Sequence, residues 1–181
     1  MKLLERPPGL FFHVLLVAPV LLGLWGASYV GGALGWGLVA FVGVGLMGLA
    51  WVVRVVTAVA MTRRWSWWFV MAPVLGGVAI GLVAVDAPLR ARFAASQDAF
   101  ERAIQEGRAI EDQRLGLYEV REIAQGPGGC TLAYDDVGSF LGRAGFALCP
   151  DGVPQQDVDN FGPMDFEHLA GDWYTFTTAD F

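Results

Sequence analysis

Five residues near the C-terminus, Asp157, Asp159, Gly162, Asp165 and Glu167, have the look of an oxygen-rich cation loop. With Asp157 as position 1 of an EF-hand, Asp159 fills position 3 and Gly162 position 6. Position 5 is then Phe161 and position 12 is His168, where the loop needs an oxygen ligand and a bidentate Glu. Two ligands are missing, so the reading is a solvated acidic loop and no metal. His168 could work as an acid/base group with Glu167 or Asp172, but neither Ser96 nor Ser139 stands in a nucleophile context. A structural, hydrogen-bonding histidine beside a turn is the expectation. There is no phosphate loop, no CxxC and no zinc spacing. No catalytic residue, cofactor or metal is assigned.

Cys130 and Cys149 are the only cysteines. An even count in a segment read below as lying outside the cell predicts a disulfide; two separately buried thiols are the alternative.

The elements that must carry these residues follow from composition. The chain is 55% hydrophobic and 17% charged, against about 25% charged in soluble domains. Residues 1–85 carry a net charge of +4 and residues 86–181 a net of −10, which together give the overall −6. A break this sharp at Asp86 separates two solvents. Basic residues are 11 Arg to one Lys, a bias that fits a GC-rich bacterial genome.

Three apolar runs precede the break. The first covers 10–30, interrupted by His13, Pro19 and Ser28; Arg6-Pro7-Pro8-Gly9 cannot continue a helix, so it starts near Leu10. Pro19 predicts a kink. The second covers 33–60 and contains one charge, Arg54. At 1.5 Å per residue it is about 42 Å long, more than a hydrocarbon core needs. The crossing is therefore put at 33–54, with Arg54 snorkelling and the helix continuing toward water. The third covers 67–85. Trp65, Trp67 and Trp68 follow Arg63 and Arg64 directly and predict an interfacial anchor.

Lys2, Arg6, Arg63 and Arg64 put residues 1–9 and the loop between the second and third spans in the cytoplasm. Three crossings then leave 86–181 outside. A cleaved signal peptide is the competing reading of the first run, with Gly26-Ala27-Ser28 as the small-residue site, but the apolar stretch is too long for one. Gly77 and Gly81 form a GxxxG pair on the third span, while Gly43, Gly45 and Gly48 crowd the second. Such faces pack helices within one chain or between copies.

The outer part reads as a small α+β domain. Asp86-Ala87-Pro88 predicts a helix start, and Leu89, Phe93, Phe100, Ala103 and Ile104 share one face of a single amphipathic helix over 87–106 that Gly107 ends. Arg92 falls off that face. Short strands follow at 115–123, 130–134 and 140–148, with 153–166 as loop. A hairpin of 167–169 and 173–177 closes the domain around Ala170-Gly171-Asp172. The sheet is expected to be mostly antiparallel.

The fold class is thus a membrane protein, a three-helix transmembrane anchor (10–85) followed by an extracytoplasmic α+β domain (86–181), in a bacterial plasma membrane. The leading functional expectation is a non-enzymatic accessory subunit. An aromatic edge of Phe161, Phe166, Trp173, Tyr174 and Phe176, with Phe181, would bind an envelope or membrane protein or a second copy of the chain. A small-solute channel built by oligomerisation is the alternative, and an envelope enzyme the third. The acidic outer domain argues against nucleic acid; the lipid bilayer is the one partner composition demands.

Overall fold

The computed structural model describes residues 10–32, 34–62, 66–107, 111–135, 142–154 and 164–178. The chain divides into two compact units: residues 1–26 with 35–87, and residues 27–34 with 88–181.

The first unit is helical. Helix α1 (Leu10–Gly26) contains Pro19, α2 is Leu34–Thr62, and α3 (Trp68–Ala84) contains Pro73. Among these, α2 is long and apolar enough to cross a membrane by itself. Helix α3 passes the same test only when counted with the helix after it, and α1 is shorter. Phe41, Leu46, Leu49 and Val56 of α2 are exposed. A soluble monomer seldom presents so much continuous apolar surface, so membrane association is the physical reading of this helix.

Helix packing uses small residues, but not those with the best motif. A side chain added at Gly43 of α2 would meet Pro19 Cβ at 2.8 Å, and one at Gly23 would meet Ala40 Cβ at 3.4 Å. Added at Gly77 or Gly81 it would meet nothing within 4 Å. The GxxxG pair therefore faces away from the other helices of this unit. Helix α1 packs on α3 through His13, whose ring lies 5.2 Å from that of Trp68. Arg54 sits over the Phe12 ring, 5.6 Å from its centroid.

The second unit is a sheet with helices on one face. The single helix expected over 87–106 is two, α4 (Ala87–Ala94) and α5 (Gln97–Gln105). The break falls at Ser96, whose hydroxyl donates back to the Arg92 carbonyl at 3.0 Å; serine competes in this way with helical hydrogen bonding. Asp86 does not have the extended backbone of an N-cap. Its φ is +52°, and its N–H donates to the Val83 carbonyl at the end of α3. Gly107, at φ +59°, closes α5 as expected.

Among the described residues six strands form one antiparallel sheet in the order β1-β2-β3-β4-β6-β5. They are β1 (Glu111–Leu115), β2 (Tyr118–Gln125), β3 (Thr131–Asp135), β4 (Ala144–Leu148), β5 (Met164–Ala170) and β6 (Trp173–Thr178). The strand expected at 115–123 is instead a hairpin, β1 and β2, turning at Gly116-Leu117. Gly116 takes φ +61°, and any side chain there would collide with Ser96 Cα at 2.9 Å. A charged edge strand, with Asp112 and Arg114 in β1, carries no apolar alternation to read. Residues 164–166, expected as loop, begin β5; residues 155–163 lie outside the described residues.

The two faces of the sheet build separate clusters. Phe93 and Phe100 from the helices pack on Tyr118, Phe146 and Trp173, with ring centroids 4.8–6.0 Å apart. Val30, from the short segment 27–34, is buried in this same cluster at 4% exposure. The opposite face holds Leu132, Ala147, Met164 and Phe176 around Cys130 and Cys149.

Candidate functional site

The feature of the sheet unit that composition does not foreshadow is a buried arginine. Arg92 lies in the last turn of α4 and is only 8% exposed. Its guanidinium carbon stands 4.0 Å from the Tyr29 ring centroid and 4.2 Å from that of Tyr118. Nη1 donates to Ser28 Oγ at 3.0 Å, and Nη2 donates to the Leu117 carbonyl. The Tyr118 hydroxyl donates to the Ser28 carbonyl at 3.1 Å, and the two tyrosine rings meet edge to face. A guanidinium suits this place because its flat faces stack on rings while its edges donate. Each stack on a desolvated cation is worth up to about 2 kcal/mol.

Local structure sets each partner. Ser96 Oγ receives the Leu117 N–H at 3.0 Å, so the β1–β2 turn is fastened to the α4–α5 break. That turns the Leu117 carbonyl toward Arg92. Ser28 and Tyr29 leave α1 at Gly26 and enter a turn closed by Gly32 N–H donating to the Tyr29 carbonyl, at 3.1 Å. Gly31 and Gly32, at φ +73° and +71°, make that turn possible. Burial pushes the Tyr118 phenol well above the ordinary tyrosine range, and Asp135 adds to this while Arg92 opposes it. At neutral pH Tyr118 therefore keeps its proton, and the cluster acts as a clasp.

The residues singled out from sequence are scattered. His168 Nε2 lies 3.0 Å from the Gly171 carbonyl, and its ring stands edge-on to Tyr174 at 5.3 Å. Glu167 precedes it on β5 and so projects from the other face of the strand. Among the described residues no hydrogen bond joins His168 to Glu167 or Asp172. Asp157, Asp159 and Gly162 lie outside the described residues, and among the described residues no group of acids, His or Cys could hold a metal ion. Cys130 and Cys149 form a disulfide between the end that leads into β3 and the end of β4.

The aromatic edge dissolves in part. Trp173 and Phe176 are 2% and 1% exposed, one in each core cluster, and cannot form a docking surface. The alternation of β6 puts one large ring on each face, and both faces are covered. Phe166 and Tyr174 remain half-buried; Phe161 and Phe181 lie outside the described residues. Trp67 is 80% exposed and Trp68 is exposed too; Arg63, Arg64 and Trp65 lie outside the described residues.

In the helical unit a cavity of about 190 Å³ opens between Leu16, Val44, Trp51 and Pro73. Its lining is apolar and carries no titratable group. Sequence reading missed Ser28, Tyr29, Arg92, Ser96 and Tyr118. The only signal was Ser28, a hydroxyl interrupting the last residues of the first apolar run. Comparison with protein-family models, curated proteins and solved structures finds no match.

Proposed function

We propose that this chain is a three-span, membrane-anchored, non-enzymatic accessory subunit of a bacterial plasma membrane. Its N-terminus is cytoplasmic, and its sheet domain stands outside, where it meets a membrane or envelope protein. The observation that carries the reading is the folding of residues 27–34 with the C-terminal domain as one unit. If α2 crosses the bilayer, the α1–α2 turn and the sheet domain share one side. Helix α3 would then return the chain to that side, and the three-span reading has α1 come from the other.

Lengths support it. Helices α1 and α3 have 17 residues each, about 25 Å apiece. Trp36 and Arg54 of α2 are about 27 Å apart along the axis, the separation of two interfacial anchors. A shared side fits the three crossings expected from the sequence; which side is outside rests on Lys2, Arg6, Arg63 and Arg64 alone. On the functional side, the assembled polar groups are a clasp, a disulfide and a turn histidine. They hold segment 27–34 and the sheet together within one unit, as a scaffold requires.

Photo-crosslinkers at Phe166 and Tyr174 in intact cells test the proposal. A discrete adduct with a membrane or envelope protein supports it; neither a partner nor a self-adduct would remove it. The open face at Gly77 and Gly81 favours self-association of α3 as a second reading. A self-adduct lost in Gly77→Leu would select that one.

A further inference from the structure

Among the described residues the sheet ends in two edge strands, β1 and β5. They are not alike. In β1, Asp112 takes φ +49° and Arg114 folds back, its Nε donating to the Gly116 carbonyl at 3.2 Å. Kinks and charges of mixed sign are devices that keep an edge from pairing. Over Met164–His168, β5 is regular instead. No residue there has a positive φ, and each keeps antiparallel register with β6, from Met164 opposite Thr178 to His168 opposite Tyr174. The irregularity comes after it, between His168 and Ala170, where Arg90 Nη1 donates to the Leu169 carbonyl at 2.6 Å. An edge strand turns the N–H and C=O of about every second residue away from its neighbour in the sheet, as a template for one more strand.

The two faces of β5 differ in chemistry. Asp165 and Glu167 lie on one, opposite Thr177 and Thr175, and both acids are exposed. Phe166 and His168 lie on the other, opposite Phe176 and Tyr174. There Phe166 is half-buried, His168 is exposed, and the His168 ring stands 5.3 Å from that of Tyr174. A strand laid along β5 would meet carboxylates on one face and rings on the other. Its side chains must therefore alternate, cationic beside the acids and apolar beside the rings. A second copy of β5 does not fit. Paired antiparallel about Phe166, two copies would set Asp165 of each against Glu167 of the other. Residues 86–181 carry a net charge of −10, which repels a copy and draws in a basic segment. We propose that β5 is the docking strand of this domain. It takes as an added strand an extended segment of a partner protein in which apolar residues alternate with Lys or Arg. The proposal deepens the accessory-subunit reading and rests on it.

The test uses the full chain in non-ionic detergent and a short fluorescent peptide of alternating Val and Lys. Binding is read by anisotropy, and hydrogen exchange should slow several-fold at the amides of Met164–His168 while β1 is unchanged. The same peptide N-methylated at every amide keeps its charge but loses its backbone donors; it should bind roughly tenfold more weakly. Equal binding of the two peptides, or binding of neither, overturns the proposal. Replacing both exposed acids, Asp165→Lys with Glu167→Lys, should reverse the preference, so that a peptide of alternating Val and Glu binds and the Val-Lys peptide does not. An unreversed preference overturns the proposal as well. In intact cells a photo-crosslinker at Phe166 separates the two failures. A partner adduct together with no peptide binding sinks the strand pairing alone; no adduct removes the accessory reading beneath it. A self-adduct puts a second copy on the edge and overturns the basic partner.

Discussion

Arg92 Nη1 donates to Ser28 Oγ at 3.0 Å across 64 positions of sequence. This bond makes the turn after α1 a structural part of the sheet domain. Neither residue has a reason to be buried alone. Arg92 would be a costly isolated cation, and the Ser28 carbonyl an unmet acceptor. Together with Tyr29, Tyr118 and the Leu117 carbonyl they meet both Nη groups of Arg92 and the Ser28 carbonyl.

Removing the cation should therefore cost more than an ordinary surface substitution. Arg92→Ala is expected to lower the stability of the sheet domain by about 2–4 kcal/mol, since stacking and buried hydrogen bonds are lost together. Arg92→Lys should recover little, because an ammonium cannot donate to Ser28 and Leu117 while stacked. Urea unfolding of the detergent-solubilised full chain, followed by Trp173 fluorescence, is the measurement. A difference under 0.5 kcal/mol in Arg92→Ala, on the order of surface effects, would show that the clasp is ornamental.

Tyr118 sets an alkaline limit. Its folded pKa is raised above the ordinary value of 10.0, by burial first. The folded state then holds a proton that the unfolded state releases. This contribution is complete below the unfolded pKa and is lost as pH rises above it toward the folded value. Stability should fall from pH 10 upward with a slope approaching about 1.4 kcal/mol per pH unit. Melting curves at pH 9, 10 and 11 should show a smaller decline in Tyr118→Phe than in the parent. An identical decline would assign the loss to other groups.

The disulfide should matter because the domain is small. Replacing Cys130 and Cys149 by serine is expected to destabilise it by on the order of 3 kcal/mol, through the freedom restored to the unfolded chain. Non-reducing against reducing electrophoresis of protein taken from intact cells reports whether the pair is oxidised there. A fully reduced pair would contradict the proposed outer placement of the domain.

Two glycines separate packing within the chain from packing between chains. Gly43→Val should disturb the helical unit, because even a Cβ at 43 reaches Pro19 Cβ at 2.8 Å. Gly77→Val should leave the monomer's melting unchanged, since nothing stands within 4 Å of the added carbon. If Gly77→Val unfolded the monomer and Gly43→Val did not, the helix packing described above would be wrong.

The turn at Gly171, the disulfide pair and the antiparallel sheet were legible because each has a local cause: a φ-positive residue, two matched thiols, alternating strands. Hydropathy likewise marked α2, since a long uncharged run has few ways to satisfy its backbone outside a helix in an apolar medium. Periodicity failed where side chains answer to distant partners. Ser96, at the break in the 87–106 helix, bonds back to Arg92 and also receives the Leu117 N–H from a hairpin 21 residues on. Asp86 adopts φ +52° where the chain leaves α3.

By itself, the sequence determined where the apolar and acidic halves divide and that the acidic half would form strands closed by a cysteine pair. These follow from solvent preference and short-range sterics, which each residue carries with it. Only tertiary structure decided that Arg92 is buried, that Val30 belongs to the core of a domain beginning some 58 residues later, and that Trp173 and Phe176 are interior. A helix stripe assigns an arginine to water, and a strand assigns alternate rings to opposite faces. Which face is covered, and by what, depends on segments far away in the chain.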